Sequence, residues 1–163
     1  MKNSSFFNSI VLLVTITSIN GQINDADFDN LEPKLIEWRH HLHQNPELSN
    51  REFKTAEYVT SHLKSLGIEV LTGVAHTGVV GIIKGNRPGK VVALRADMDA
   101  LPVTERNNLS FKSEVVSTFN GKKTGVMHAC GHDAHVSILM GVAKVLTQNK
   151  DFAGIIKLIH QSD

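Results

Sequence analysis

The apolar run at residues 91–96 and the polar residues after it constrain the fold more than any other feature. A run that is nearly continuous in apolar side chains is typical of a central strand covered on both faces. Arg95, Asp97 and Asp99 lie where this strand is predicted to end. Ligands of α/β sheets bind beyond the carboxyl ends of strands, so these side chains predict a functional site there.

The rest of the chain alternates between helical and strand patterns. The predicted helices are 31–44, the segment between Asn50 and Gly67, and 133–146; the other predicted strands are 68–71, 79–83 and 154–159. Residues 103–124 have a weak pattern and are predicted to form a polar loop. The alternation predicts an α/β fold, a three-layer sheet with helices on both faces.

Length and charge narrow the class of protein. A chain of 163 residues makes one ordinary domain or part of a larger protein. Hydrophobic residues make up 41% and charged residues 20%, which is typical of globular chains. With 17 basic and 16 acidic residues, the balance of charge gives no indication of a nucleic-acid partner.

The amino terminus has the pattern of a secretory signal. Lys2 precedes an apolar run at 10–16 that is too short to span a bilayer, and small and polar residues follow it. We therefore expect residues 1–21 to be a signal peptide, residues 22–163 to be the mature part, and the protein to be exported to the periplasm, the secretory lumen or the medium. A buried strand and a lipid anchor are the alternatives for this segment.

The stretch "MHACGHDAH", residues 127–135, contains three histidines, an aspartate and the single cysteine of the chain. Cys130 and His132 are two residues apart across Gly131, so in a loop both side chains can face one ion. Thiolate and imidazole ligands suit zinc, with cobalt, nickel and manganese as further candidates. An inert buried cysteine beside surface histidines is the alternative.

Two other histidines offer weaker interpretations. His128 and His132 have the i, i+4 spacing that allows a shared ion on a helix, but Gly131 argues against a helix there. His135 lies inside the predicted helix, where packing or hydrogen bonding is favoured over ligation. A redox-active Cys130 is a further alternative.

Asp97 and Asp99 form the second polar group, together with Arg95. A carboxylate at a strand end can bind a metal, can orient a ligand histidine, or can pair with a nearby arginine. The residues alone leave these three roles open.

Three blocks of sequence together resemble a known family. They are "RHHLHQNPELSNREFKTAEYVTSHLKSLG" at 39–67, "LRADMDALPVTE" at 94–105 and "GVMHACGHDAHVSILMGVAKVL" at 125–146. In this order they resemble the N-acyl-amino-acid amidohydrolases, which include hippurate hydrolases and auxin-conjugate hydrolases. These enzymes form a branch of the aminoacylase and carboxypeptidase clan of metallopeptidases.

The resemblance implies a catalytic α/β domain with two divalent metals, most simply manganese or zinc, with cobalt or nickel as alternatives. It implies that Cys130 and His132 are metal ligands and that Asp97 is the catalytic carboxylate that orients the site. Arg95 stands where related peptidases carry a metal-binding histidine. Asp99, His128 and Asp133 match the family blocks without an implied direct role.

The resemblance also implies a departure at residues 156–163. The family continues into a segment like F-Q-P-A-E-E, whose glutamates act as general base and metal ligand, and this sequence reads "IKLIHQSD". We expect an inactive amino-terminal fragment, without the smaller inserted domain, of a metal-dependent hydrolase of N-acyl-amino acids or peptides. A non-catalytic metal-binding protein built on the same scaffold is the alternative. The expected partners are small-molecule substrates and, in the full-length protein, a second subunit, with neither nucleic acid nor a stable membrane span.

Overall fold

The structure, a computed structural model, describes residues 28–162, so the predicted signal peptide at 1–21 lies outside the described residues. The helices are α1 (Glu32–Gln44), α2 (Phe53–Ser65) and α3 (His132–Gln148). The strands are β1 (Glu69–Val74), β2 (Gly78–Lys84), β3 (Arg87–Asp97), β4 (Val116–Phe119), β5 (Lys122–Gly125) and β6 (Ala153–Gln161). All three predicted helices and all four predicted strands are present, with shifted ends.

The main sheet has the strand order β1-β2-β6-β3. Strand β3 runs parallel to β6, whereas β2 is antiparallel to both β1 and β6. The parallel pair β3 and β6 is joined through α3, the usual crossover by which two parallel strands are connected. The chain therefore has the predicted α/β class, with a mixed sheet.

Strand β3 differs from its prediction as a central strand. Among residues 28–162 it pairs with β6 on one side only, and Val91 and Val92 are 57% and 54% exposed. An apolar strand sequence indicates that the faces of the strand can be buried. It does not specify how many neighbouring strands pair with it.

The helices cover one face of the sheet. Helix α2 packs on β1 and β2, α3 packs on β3 and β6, and the two helices contact each other. Leu63 of α2, Met140 of α3 and Leu158 of β6 are fully buried in one continuous core. Helices were predicted on both faces of the sheet. Within the described part of the chain they cover one face.

Helix α1 lies outside this layer and packs on α3. It begins with Pro33 in its first turn, where the missing amide hydrogen costs nothing, and it buries Trp38 and Leu42. Gly141 of α3 allows the close approach, because a Cβ atom there would lie 2.6 Å from Cδ2 of Leu35.

The predicted polar loop at 103–124 contains a hairpin of β4 and β5. Asn120 and Gly121 connect the two strands, and both have positive φ, at 49° and 76°. Asn-Gly is the preferred pair for such a two-residue turn, because both positions need the left-handed region. The strands escaped prediction since each has only four residues and is largely exposed.

Within residues 28–162, every helix falls short of the length and apolar character needed to cross a membrane.

Candidate metal centre

The candidate site is built from two chain segments that follow β3 and precede α3. Leu101 and Met127 exchange two backbone hydrogen bonds, of 3.0 and 3.1 Å, which hold the segments side by side. The amide of Met98 donates to the carbonyl of Gln161 at 2.8 Å and fixes the end of β3 to the end of β6. These contacts place the polar residues after β3 beside the first turn of α3.

Asp97, His132 and His135 form the cluster at this position, which we call the metal trio. One ligand atom of each residue lies within 4.8 Å of the ligand atoms of the other two. Asp97 and His132 are half-buried and His135 is exposed. A carboxylate and two imidazoles are suitable ligands for zinc and related divalent ions, so the donor set fits a metal.

The orientation of His132 is set by Asp99. Nδ1 of His132 lies 2.9 Å from the backbone carbonyl oxygen of Asp99 and 3.1 Å from its Oδ1. Since both partners are acceptors, Nδ1 carries the proton and Nε2 has the lone pair that a metal requires. Such contacts fix the tautomer and ring direction of metal-binding histidines.

This contact gives Asp99 an orienting role toward His132, and the catalytic role expected of Asp97 stays a prediction. The Asp97 carboxylate instead accepts a hydrogen bond from Arg95 and belongs to the metal trio. Side chains alternate along an extended segment, so the sequence places Asp97 and Asp99, two residues apart, on the same side. The residues alone left the orienting role open for both aspartates. Only the position of His132 decides between them.

Cys130 does not belong to the metal trio among the described residues, and it is exposed. It lies in the turn before α3, where Gly131 has a φ of 78°. Of the predicted pair of Cys130 and His132, only His132 belongs to the trio. The ligand role of Cys130 stays a prediction.

A buried ionic network is formed around Asp133, the residue that follows His132. His43 of α1 donates from Nδ1 to Oδ2 of Asp133 at 2.9 Å and from Nε2 to Oε1 of Glu105 at 2.8 Å. Arg39 also donates to Oδ2 of Asp133, at 3.2 Å. The side chains of Asp133 and Glu105 are each 1% exposed, so the pairing takes place away from water.

The network favours the protonated form of His43. Burial alone would lower the pKa of His43, but the hydrogen bonds to Glu105 and Asp133 raise it above its ordinary value. Burial would raise the pKa of Glu105, but the hydrogen bonds from His43, Ser113 and Asn107 lower it. The raised pKa of His43 and the lowered pKa of Glu105 both favour a charged imidazole between two carboxylates.

The other histidines of "MHACGHDAH" have separate environments. His128 is buried, and burial lowers its pKa to about 4, although the nearby Asp133 carboxylate opposes this effect. His128 does not join the trio among residues 28–162, which leaves the i, i+4 pairing with His132 without support. His135, for which packing was favoured, contributes a ligand atom to the trio.

Sequence reasoning left the role of Asp99 open and missed the roles of Asp133, Glu105 and His43. The pattern Asp-x-Asp contained a signal for Asp99, and the cluster "RHHLH" at 39–43 contained one for His43. Neither pattern identifies its partner, because His43 and Asp133 are 90 residues apart.

An open groove of about 470 Å³ gives access to the trio. It is lined by Leu94, Arg95, Asp97, His135, Ile138, Leu139 and Val142. The lining therefore combines two members of the trio with apolar side chains of α3.

The chain is similar to known hydrolases. Residues 93–163 match the model of "Peptidase family M20/M25/M40". "Thermostable carboxypeptidase 2" of Saccharolobus solfataricus is 52% identical over 137 residues, which cover 83% of this chain and 33% of that protein. The N-acyl-L-amino acid amidohydrolase of Geobacillus stearothermophilus is 45% identical over 134 residues, which cover 82% and 34%.

Solved structures show the same relationship. The Bacillus subtilis YXEP protein, described as a dinuclear metal-binding peptidase from the M20 family, superposes with a TM-score of 0.72 and 39% identity. The match covers 81% of this chain and 35% of that protein. This chain thus spans about a third of the length of its relatives. The matched model, the sequence relatives and the superposition together show that this chain is similar to peptidase family M20/M25/M40 over the aligned residues.

Proposed function

We propose that the full-length protein is a metal-dependent amidohydrolase that releases an amino acid from an N-acyl conjugate. The observation that carries the proposal is the metal trio, with His132 held by Asp99 at the carboxyl end of β3. The relatives named carboxypeptidase and N-acyl-L-amino acid amidohydrolase support the same reaction class, the hydrolysis of an amide next to an amino acid.

The residues of this chain would hold part of the metal centre. His132 would bind through Nε2 and Asp97 through its carboxylate, and Cys130 is the further ligand that the family resemblance implies. A divalent ion bound there would polarise the scissile carbonyl and lower the pKa of a water molecule. Zinc and manganese suit the imidazole and carboxylate donors, with cobalt and nickel as alternatives.

Proton transfer needs a general base close to the attacking water. Asp97 is paired with Arg95, and Asp99 is engaged by His132, so both carboxylates have positioning contacts. The aligned residues make up only 33% and 34% of the two relatives. We therefore place the general base in the corresponding further part of the full-length protein. The 163-residue chain alone is expected to be inactive.

Export and dimer formation are further parts of the proposal. Export is supported by the signal pattern at residues 1–21, and a homodimer is supported by the resemblance alone. The amino-terminal sequence of the secreted protein tests the first, and sedimentation of the full-length protein tests the second.

The activity test uses the full-length protein with hippurate, N-acetyl-amino acids and a dipeptide, with release of the free amino acid as the readout. We expect hydrolysis that a chelator abolishes and that zinc or manganese restores. His132→Ala should remove it, whereas His41→Ala, an exposed histidine on α1, should not. Hydrolysis that survives the chelator would contradict the proposal, and metal binding without hydrolysis of any substrate would favour a non-catalytic metal-binding protein.

A further inference from the structure

The serine pair, Ser49 and Ser162, joins the segment between α1 and α2 to the residue that follows β6. The two Oγ atoms are 2.8 Å apart. The backbone amide of Asn50 also donates to Oγ of Ser162, at 3.1 Å. The two serines are 113 positions apart in the chain, so their contact does not follow from local structure. The serine pair therefore fixes the point at which the chain leaves β6.

This exit of β6 lies beside the metal trio. Strands β3 and β6 are parallel, and Asp97 is paired in register with Gln161 at their ends. The carbonyl of Gln161 accepts a hydrogen bond from the amide of Met98 at 2.8 Å. Residues that follow β6 thus start at the same edge of the sheet as Asp97, the edge at which α/β proteins bind their ligands.

The segment that carries Ser49 is itself held on both sides. The Glu47 carboxylate accepts hydrogen bonds from the amide and the hydroxyl of Thr55, at 2.8 and 3.0 Å, in the first turn of α2. The Glu52 carboxylate is fully buried and accepts a hydrogen bond from the amide of Asn50 at 2.9 Å. Since both flanks of Ser49 are fixed, its hydroxyl can set the position of its partner serine.

The same segment also contacts the residues after β3. The carbonyl of Glu47 accepts a hydrogen bond from the amide of Ala100 at 2.7 Å, and Leu48 forms a parallel bridge with Ala100. Ala100 directly follows Asp99, whose Oδ1 lies 3.1 Å from Nδ1 of His132. One segment between two helices therefore holds the exits of both β3 and β6, and it fixes each exit relative to the other.

We infer that Ser49 and Ser162 are positioning residues, whose contact sets where the chain enters the active site after β6. The inference rests on the proposed function, because it requires residues after β6 to take part in the reaction. Reacting groups must lie within hydrogen-bonding distance of their partners, so a small displacement of the segment that carries them slows the chemical step. Aligned on Gln161, Ser162 stands where the similar segment F-Q-P-A-E-E has proline, so the hydroxyl contact is a feature of this chain.

The test measures kcat and KM of the full-length protein with whichever of hippurate, the N-acetyl-amino acids and the dipeptide it hydrolyses fastest. Ser49→Ala should lower kcat at least about tenfold and change KM by less than about twofold, because binding is kept and orientation is lost. Ser49→Thr keeps the hydroxyl at an exposed position and should retain most of the activity. Ser65→Ala removes an exposed hydroxyl at the end of α2 and is the matched control with full activity.

A double-mutant cycle tests the contact between the two serines. If the hydroxyls act as one contact, the double variant Ser49→Ala, Ser162→Ala should have a kcat within about twofold of either single variant. Bound metal and the urea midpoint should match those of the Ser65→Ala control, since the metal trio and the core are unchanged. Full activity in both single variants, additive losses, or a loss that follows the urea midpoint would overturn the inference.

Amide hydrogen exchange gives a readout that needs no turnover. The amide of Met98, which donates to Gln161, should exchange at least about threefold faster in Ser162→Ala, because the end of β6 opens more often. The amide of Leu101, which donates to Met127, should keep its rate. Unchanged exchange at Met98 would contradict the positioning contact. Faster exchange in a protein whose wild type hydrolyses none of the substrates would contradict the proposed function and leave the contact in place.

Discussion

His43 and Asp133 are joined by a buried hydrogen bond of 2.9 Å between Nδ1 and Oδ2. This bond connects α1 to the first turn of α3, and Asp133 directly follows His132. The second ring nitrogen of His43 extends the connection to Glu105, whose carboxylate also accepts a hydrogen bond from the amide of Ser113 at 2.6 Å. The residue that follows His132 is therefore held by an ionic contact from α1.

His43→Ala should destabilise the chain by about 3 kcal/mol, because it leaves two buried carboxylates without their shared cation. The free energy of unfolding in urea measures this effect. Lys34→Ala is the matched control on the same helix, since it removes an exposed ion pair with Glu37. That control should change stability by less than about 0.5 kcal/mol. Equal effects of the two variants would show that the network around Asp133 does not stabilise the fold.

The same network predicts a loss of stability at alkaline pH. The pKa of His43 is raised in the folded state, so its contribution is complete below the ordinary histidine value. The contribution is lost as the pH rises through the folded pKa, because the folded protein then releases the proton that it had retained. Stability measured from pH 6 to pH 9 should fall in the wild type, and the fall should be smaller in His43→Ala.

His160 predicts a second loss of stability, at acid pH. It is fully buried in β6, and neither ring nitrogen makes a hydrogen bond within residues 28–162. Burial, reinforced by the charge of His62, lowers the pKa of His160 to about 3. As the pH falls below about 6.5, this histidine becomes protonated in the unfolded chain and stays neutral in the folded chain. The free energy of unfolding should therefore fall below that pH by up to about 1.4 kcal/mol per pH unit.

His160→Leu tests this assignment, because it removes the titrating group and keeps a side chain of similar size. We expect a weaker acid dependence and equal or higher stability at neutral pH, since an unpaired buried polar group is removed. His41→Leu, at an exposed position, should retain the acid dependence of the wild type. An unchanged slope in His160→Leu would assign the acid sensitivity to other groups.

Asp99→Ala should weaken binding of Zn²⁺ about tenfold without removing a ligand. The substitution deletes the Oδ1 acceptor of His132, and the carbonyl of residue 99 remains to hold the ring in part. Competition with a chromophoric chelator measures the affinity. Asp151→Ala, which removes an exposed carboxylate paired with Arg87, is the control and should bind normally. Normal binding in Asp97→Ala would mean that Asp97 is not a ligand.

Gly154→Ala should cost at least about 3 kcal/mol in stability. Gly154 has a φ of 98°, and a Cβ atom there would lie 2.0 Å from the carbonyl oxygen of Lys90. Gly121→Ala separates the two causes, because Gly121 also has a positive φ but nothing within 4 Å of the added atom. That control should lose only about 1 kcal/mol from backbone strain. Thermal unfolding of the two variants compares them directly.

Local patterns predicted the elements of this fold well, because helices and buried strands show their periodicity in neighbouring residues. The helix that became α3 was expected at 133–146 and is found at His132–Gln148. The hairpin of β4 and β5 was missed, since short exposed strands have little periodicity to detect. The pairing of β3 on one side only, as seen within residues 28–162, was also missed, because pairing is a relation between distant segments.

The sequence by itself determined that this chain is an α/β protein, and it predicted a metal site after residue 96 and around residue 132. Tertiary structure alone decided which side chains meet there. Asp99 rather than Asp97 holds His132, His135 joins the trio, and Cys130 lies outside it. The physical reason is that ligand chemistry is a property of residue type, whereas coordination depends on the direction of side chains held by contacts far along the chain.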